Sequence, residues 1–143
     1  MMNNYTPKYF TLEELLTSSV ARQKSIENLP SWEIVENLLE LAMFLDRIRE
    51  AWGSGIRVSS GFRNERLNAA VGGVLNSVHR FGYAVDIVPA NGDFNGFVEF
   101  LKDFLADKSY DQCIIEKKGK SRWVHFGLWS PTHRQRRMLF NIG

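Results

Sequence analysis

The chain has 143 residues, 44% of them hydrophobic and 13% aromatic, which suits one compact domain over residues 1–143. Its net charge of +2 is near neutral, and the basic cluster at residues 133–137 is too short to indicate nucleic-acid binding by itself. The single cysteine, Cys113, excludes an internal disulfide, and no apolar run is long enough to span a membrane.

The N-terminal part of the chain predicts helices. Thr11 is placed to cap a short helix over residues 12–16, with Glu14 at the capping-box position. Residues 18–30 are polar and are expected to be irregular. Ser31 then opens a long helix that ends at residues 52–55. Its apolar residues recur at helical spacing: Ile34, Leu38, Leu41, Leu45 and Ile48.

The remaining residues alternate short strands with helices. Strands are predicted over 56–59, 83–88, 111–116 and 122–128, the last two joined by a turn over 117–120. Helices are predicted over 64–70 and from the cap Asp93 to Phe104, with a last helical turn after Pro131. The sequence therefore predicts an α+β domain, with N-terminal and interleaved helices around a small, mostly antiparallel sheet.

Asp86 is the most informative residue because it lies within the apolar strand predicted over 83–88. A bare carboxylate buried there would be costly unless something compensates its charge, and a cation would do so. His79 precedes this strand and His125 lies on the last strand, so both could supply further ligands. Two imidazoles and one carboxylate with an open fourth position are typical of catalytic zinc sites.

The same residues also fit an interpretation without a metal. His125 would be a satisfied core histidine, His79 a surface loop residue, and Asp86 the ion-pair partner of Arg57 or Arg63. Residue types and spacing alone leave both interpretations open.

A family resemblance favours the metal site. The pattern Ser77-x-His79-x-x-Gly82-x-Ala84-x-Asp86, followed by Trp123-x-His125, resembles the zinc D-Ala-D-Ala carboxypeptidase family, which has the hedgehog/DD-peptidase fold. Segments 56–63 and 67–73 look like the stretch before the first ligand, and segments 9–15 and 110–112 look similar to phage- and prophage-type members. The resemblance covers roughly residues 9–130, and it implies a zinc ion bound by His79, Asp86 and His125.

The general base of such a peptidase is less evident. Several members of this family have a Glu three residues before the last His, and others have a second His five residues before it. Those positions hold Arg122, which cannot act as a base at neutral pH, and Lys120. Glu116 is the best substitute, and Asp111 is a second candidate whose simpler role is to fix a loop.

Glu116 is expected on the strand that leads into the same hairpin as His125. A simple turn over 117–120 would place Glu116 near Ser121, about 13 Å along the strand from His125, and a bulge could bring it closer. The alternative is an exposed hairpin carboxylate beside Lys117 and Lys118.

Two further residues are candidates for binding the substrate. Arg63 matches the position at which this family anchors a carboxylate, because a guanidinium can hold a carboxylate through two hydrogen bonds. Ser77 could donate a hydrogen bond to the same group. The alternatives are an ion pair of Arg63 with Glu65 or Asp86, and a loop cap for Ser77.

The sequence thus leads to a zinc metallopeptidase acting on peptidoglycan peptides. It would hydrolyse stem-peptide bonds involving D-amino acids, as carboxypeptidase or endopeptidase, through a metal-activated water. The alternative is a non-catalytic structural module that binds zinc and muropeptides. No nucleic-acid partner is expected, and the oligomeric state stays open. Residues 1–8 lack the apolar core of a signal peptide, so synthesis in the cytoplasm and release to the cell wall by another route are expected.

Overall fold

The structure is a computed structural model that describes residues 6–140. Its helices are α1 (Leu12–Leu16), α2 (Ser19–Gln23), α3 (Trp32–Trp52), α4 (Glu65–Ala70) and α5 (Phe94–Phe104), with 3-10 helices at Val78–Phe81 and Leu105–Asp107. Its strands are β1 (Ile56–Ser60), β2 (Ala84–Pro89), β3 (Gln112–Lys118), β4 (Ser121–Gly127) and β5 (Met138–Leu139). The predicted α+β class is confirmed.

The strands form one sheet in the order β1-β2-β4-β3-β5. Every neighbouring pair is antiparallel except β3 and β5, which run parallel. Alternation along β2 and β4 buries Val85, Ile87, Val124 and Phe126 in the main core with α3 and α5. The opposite face of the central strands, which carries Asp86 and His125, is therefore free to form a site.

The predicted helix caps are confirmed. The side chains of Thr11, Ser31 and Asp93 accept hydrogen bonds from backbone N–H groups in the first turns of α1, α3 and α5. Because α3 puts Leu38 and Leu41 on its core face, both are fully buried. No helix within residues 6–140 is long and apolar enough to cross a membrane.

The segment predicted to be irregular contains a helix. Ser18 caps α2 by accepting a hydrogen bond from the backbone N–H of Ala21. Ala21 then packs with Ile26 and Leu67 in a small second core. This tertiary burial gives a five-residue helix the stability that its own sequence could not provide.

The predicted helical turn after Pro131 is also wrong. The backbone N–H of Met138 donates to the carbonyl of Asp111, and the N–H of Phe140 donates to Cys113. These bonds draw the segment along the edge of β3, where Gln112 pairs with Met138. The backbone bonds of the tail are therefore made with the sheet instead of within a helix.

Candidate metal centre

Neighbouring strands and one tight turn bring three side chains together on the open face of the sheet. Asp86 of β2 and His125 of β4 are direct partners in the antiparallel register. His79 lies in the 3-10 helix that ends at Gly82, which has a φ of +74°. A Cβ at Gly82 would lie 3.0 Å from the carbonyl oxygen of Ile34, so both the turn and the packing require glycine.

The three side chains are close enough to share one ion. Oδ1 of Asp86 lies 3.2 Å from Nε2 of His79 and 3.2 Å from Nδ1 of His125. All three donor atoms lie within 4.8 Å of one another, and the residues are only 2%, 7% and 7% exposed for His79, Asp86 and His125. The structure therefore brings together the three predicted ligands.

The interpretation without a metal matches His125, which is buried with contacts at both ring nitrogens, but it is wrong for His79 and Asp86. His79 is buried instead of lying on the surface. Among residues 6–140, the ion-pair contacts of Asp86 are with the two histidines, not with Arg57 or Arg63. The acidic side chain in the apolar strand thus faces two imidazoles.

In each imidazole, the outer nitrogen, which is the one that faces away from Asp86, lies next to a hydrogen-bond acceptor. Nδ1 of His79 lies 2.8 Å from the carbonyl oxygen of Gly61, so it must carry the proton. Nε2 of His125 lies 3.1 Å from Oε1 of Gln112, which requires a proton there as well. A neutral imidazole carries one N–H proton, so the inner nitrogens, Nε2 of His79 and Nδ1 of His125, are then unprotonated. They direct their lone pairs at the carboxylate of Asp86.

Such an arrangement fits a divalent cation. Two lone pairs and a carboxylate repel one another at these distances, and a cation among them makes all three contacts favourable. When protons occupy these nitrogens instead of a cation, His125 and His79 donate to Asp86, and these hydrogen bonds outweigh the effect of burial and hold the pKa of Asp86 below its ordinary value. The carboxylate is therefore ionised, as a metal ligand must be.

Gly61, which accepts the hydrogen bond from His79, is itself fixed by α1. The backbone N–H of Phe62 donates to the carbonyl of Leu15 at 2.8 Å. A Cβ at Gly61 would lie 2.2 Å from the same carbonyl oxygen. Only glycine permits this approach, so α1 determines where the acceptor for His79 lies.

The histidines and Asp86 line a cavity of about 530 Å³ that also exposes Arg63 and Glu116. Nη2 of Arg63 donates to Oγ of Ser77 at 3.1 Å, whereas its buried Nε has no hydrogen-bond partner among the described residues. Burial lowers the pKa of Arg63, and the negative charges of Asp86 and Glu116 only partly offset this. Because Arg63 lines the cavity, its guanidinium favours an anionic or carbonyl ligand there.

Neither predicted alternative partner forms an ion pair with Arg63. Glu65 instead contacts Arg80, with 3.8 Å between its Oε2 and Nη2. Ser77 caps the 3-10 helix by accepting from the N–H of His79, and the same hydroxyl accepts from Arg63. Ser77 thus fixes both the loop and the guanidinium.

The position of Glu116 differs from the predicted one. The hairpin turn comprises only residues 119–120, because Lys118 pairs with Ser121, and Glu116 therefore pairs with Trp123 instead of lying near Ser121. Trp123 and His125 are two residues apart on one strand face. Glu116 therefore lies about 7 Å along the strand from the level of His125, instead of the predicted distance of about 13 Å. The Trp123 indole N–H donates to Oε1 of Glu116 at 2.8 Å, which holds this carboxylate in the cavity wall.

Arg122 points to the opposite side of the sheet. It precedes His125 by three positions, and an odd offset on a regular strand changes the face. Its guanidinium lies 4.2 Å from the ring centre of Phe94 and contacts Asn95. A base for the site must therefore come from another position than 122.

Asp111 has a structural environment. Its carboxylate is fully buried and accepts from Nε and Nη2 of Arg136, both at 2.7 Å. The backbone N–H of Arg136 adds a third bond. Asp111 thus anchors the C-terminal segment.

Gln112 is the residue that sequence reasoning missed, because nothing marked it as a partner of His125. It lies on β3 four residues before Glu116, and an even separation places both side chains on the same face. Combining that alternation with the hairpin register would have indicated it.

Comparison with known proteins adds one finding. The family model described as Peptidase M15 matches residues 8–126, which include His79, Asp86 and His125 as well as Arg63 and Glu116. No curated protein matches the chain.

Proposed function

Because the chain belongs to the peptidase M15 family, whose members depend on zinc, we propose that it is a zinc-dependent peptidase of bacterial cell-wall peptides. It would hydrolyse stem-peptide bonds of peptidoglycan that involve D-amino acids. The observation that carries this proposal is the convergence of His79, Asp86 and His125 in a wide cavity, with their inner donor atoms facing one another.

His79, Asp86 and His125 would hold the zinc ion through Nε2, Oδ1 and Nδ1. A zinc ion so bound polarises the scissile carbonyl and lowers the pKa of a bound water to about 7. Gly61 and Gln112 keep both imidazoles in the tautomer that presents an unprotonated nitrogen.

Glu116 is proposed as the general base. One of its oxygens accepts from Trp123, which leaves the other to take a proton from the attacking water and return it to the leaving amine. Arg63, oriented by Ser77, would hold a carboxylate or carbonyl oxygen of the substrate through its unused donors.

Glu116→Gln tests this proposal directly. The amide keeps an acceptor for Trp123 but cannot take a proton, so release of peptides from purified peptidoglycan should fall at least about a hundredfold. Zinc content, measured by elemental mass spectrometry, should be unchanged. The control is Glu99→Gln, an exposed carboxylate on α5, which should retain full activity.

The alternative is a module that binds zinc and muropeptides without cleaving them. It is favoured by the position of Arg122, where several family members carry a Glu. A zinc-loaded wild type that binds muropeptides, but does not cleave substrates with several kinds of cross-link, would establish this alternative and reject the peptidase.

A further inference from the structure

A second cavity, of about 350 Å³, lies beside the metal centre. Trp123 belongs to the walls of both cavities, so they lie next to each other at this residue. Arg57, Val88 and Arg122 also line the second cavity, and no carboxylate does so in the part of the chain that the structure describes. Because the Arg122 guanidinium packs against Phe94, Arg57 is the residue that gives this cavity a positive charge, which suits an anionic group.

Strand register fixes the distance from this cavity to the metal centre. Arg57 of β1 pairs with Val88 of β2. Ile87 pairs with Val124 of β4, so the next residue of β2, Val88, lies beside Trp123. This row lies two residues along the strands from the row of Asp86 and His125, a spacing of about 7 Å. An extended peptide covers that distance with two residues.

Two arginines flank the level of the metal centre along the chain. Ser60 of β1 pairs with Asp86, and Arg57 and Arg63 lie three residues before and three residues after Ser60. Arg57 is exposed, and its side chain has neither a hydrogen bond nor an ion pair with any residue in the range 6–140. Its donors are free, as is the buried Nε of Arg63 on the other side.

We propose that Arg57 binds a substrate carboxylate in a second subsite, of which the Trp123 side chain forms one wall. The bound carboxylate lies about two residues from the scissile bond, on the side opposite to the group that Arg63 holds. Because the two cavities continue past the metal centre in both directions, the peptide does not have to end there. The protein therefore selects acidic peptides and cuts an internal bond, an inference that rests on the proposed peptidase function.

Paired peptides test this subsite. Two pairs are used, and all four peptides contain the same D-amino-acid bond. Within a pair, one peptide has Glu and the other has Gln two residues from that bond. The first pair carries this residue on the N-terminal side of the bond and the second pair on the C-terminal side. Calorimetry measures their binding to zinc-loaded Glu116→Gln protein, and mass spectrometry follows cleavage by the wild type. On one side only, we expect the Glu peptide to bind about tenfold more tightly than the Gln peptide, since a charge-assisted bond is lost with the amide.

Arg57→Gln should abolish this preference without weakening the Gln peptide, and Arg57→Lys should restore part of it. Arg22→Gln, an exposed arginine on α2, is the matched control and should behave as the wild type. Equal binding of both peptides, an unchanged preference in Arg57→Gln, or no binding of any peptide would overturn the proposal. If the proposed peptidase function failed but the subsite existed, the result would be different: no peptide would be cleaved, while the Glu peptide would still bind more tightly than the Gln peptide.

Discussion

The hydrogen bond between Gln112 and His125 gives a quantitative test of the metal centre. Oε1 of Gln112 accepts from Nε2 of His125 at 3.1 Å and so selects the tautomer whose Nδ1 is free. Gln112→Met keeps the length of the side chain and removes the acceptor. The ring can then carry its proton on Nδ1, next to Asp86, where it cannot bind a metal.

The expected loss follows from the place of Gln112 behind the ligand. Removing such a partner typically weakens metal binding by about 10- to 100-fold, which corresponds to about 1.4–2.7 kcal/mol. His125 is only 7% exposed, so water has little access to replace the lost acceptor. We therefore expect the zinc dissociation constant of Gln112→Met to exceed that of the wild type by nearly 100-fold, the upper end of this range.

Competition with a chromophoric zinc chelator measures the dissociation constant for the wild type and for Gln112→Met. Nitrogen NMR of the zinc-loaded wild type should show the protons on Nδ1 of His79 and Nε2 of His125. Gln23→Met, at the end of α2 and away from the cavity, is the control. A zinc affinity within about twofold of the wild type in Gln112→Met would refute the reasoning about tautomers.

Three further changes test the surroundings of the site. Arg136→Ala leaves the buried carboxylate of Asp111 without its cation. Because the Arg136 side chain is 39% exposed, water can replace part of the contact, so urea unfolding should show a loss of about 1.5–3 kcal/mol, and a loss below about 0.5 kcal/mol would argue against this anchor. Gly61→Ala forces a contact with the carbonyl of Leu15, and thermal unfolding should show a destabilisation of at least about 2 kcal/mol. Burial raises the pKa of Cys113 to about 12, so a thiol reagent at pH 8 should label it only as fast as the protein unfolds.

Local pattern predicted much of the fold and the ligand set. The acidic residue at 86 stood out because β2 is otherwise apolar, and alternation along β4 placed His125 away from the core residues Val124 and Phe126. These features depend on the two-residue period of a strand, which the sequence displays directly. The caps Thr11 and Ser31 are likewise local signals.

Errors arose where contacts between distant residues decide the structure. The turn at residues 119–120 is two residues shorter than the predicted one, and that difference moved Glu116 from the level of Ser121 to that of Trp123. Helix α2 depends on burial against Leu67, far along the chain. No short-range pattern contains such information.

The contact of α1 with Gly61 has a practical consequence for anyone who shortens this protein. A variant that begins after residue 17 would retain every ligand, yet it would lose Phe10 and Leu15 from the main core, and the loop at 61–62 would lose the Leu15 carbonyl that it packs against. The imidazole of His79 would then rotate more freely, and zinc would bind more weakly although no coordinating atom had been deleted. Tags and fusions that displace α1 would thus lower the metal content of a preparation as well as its stability.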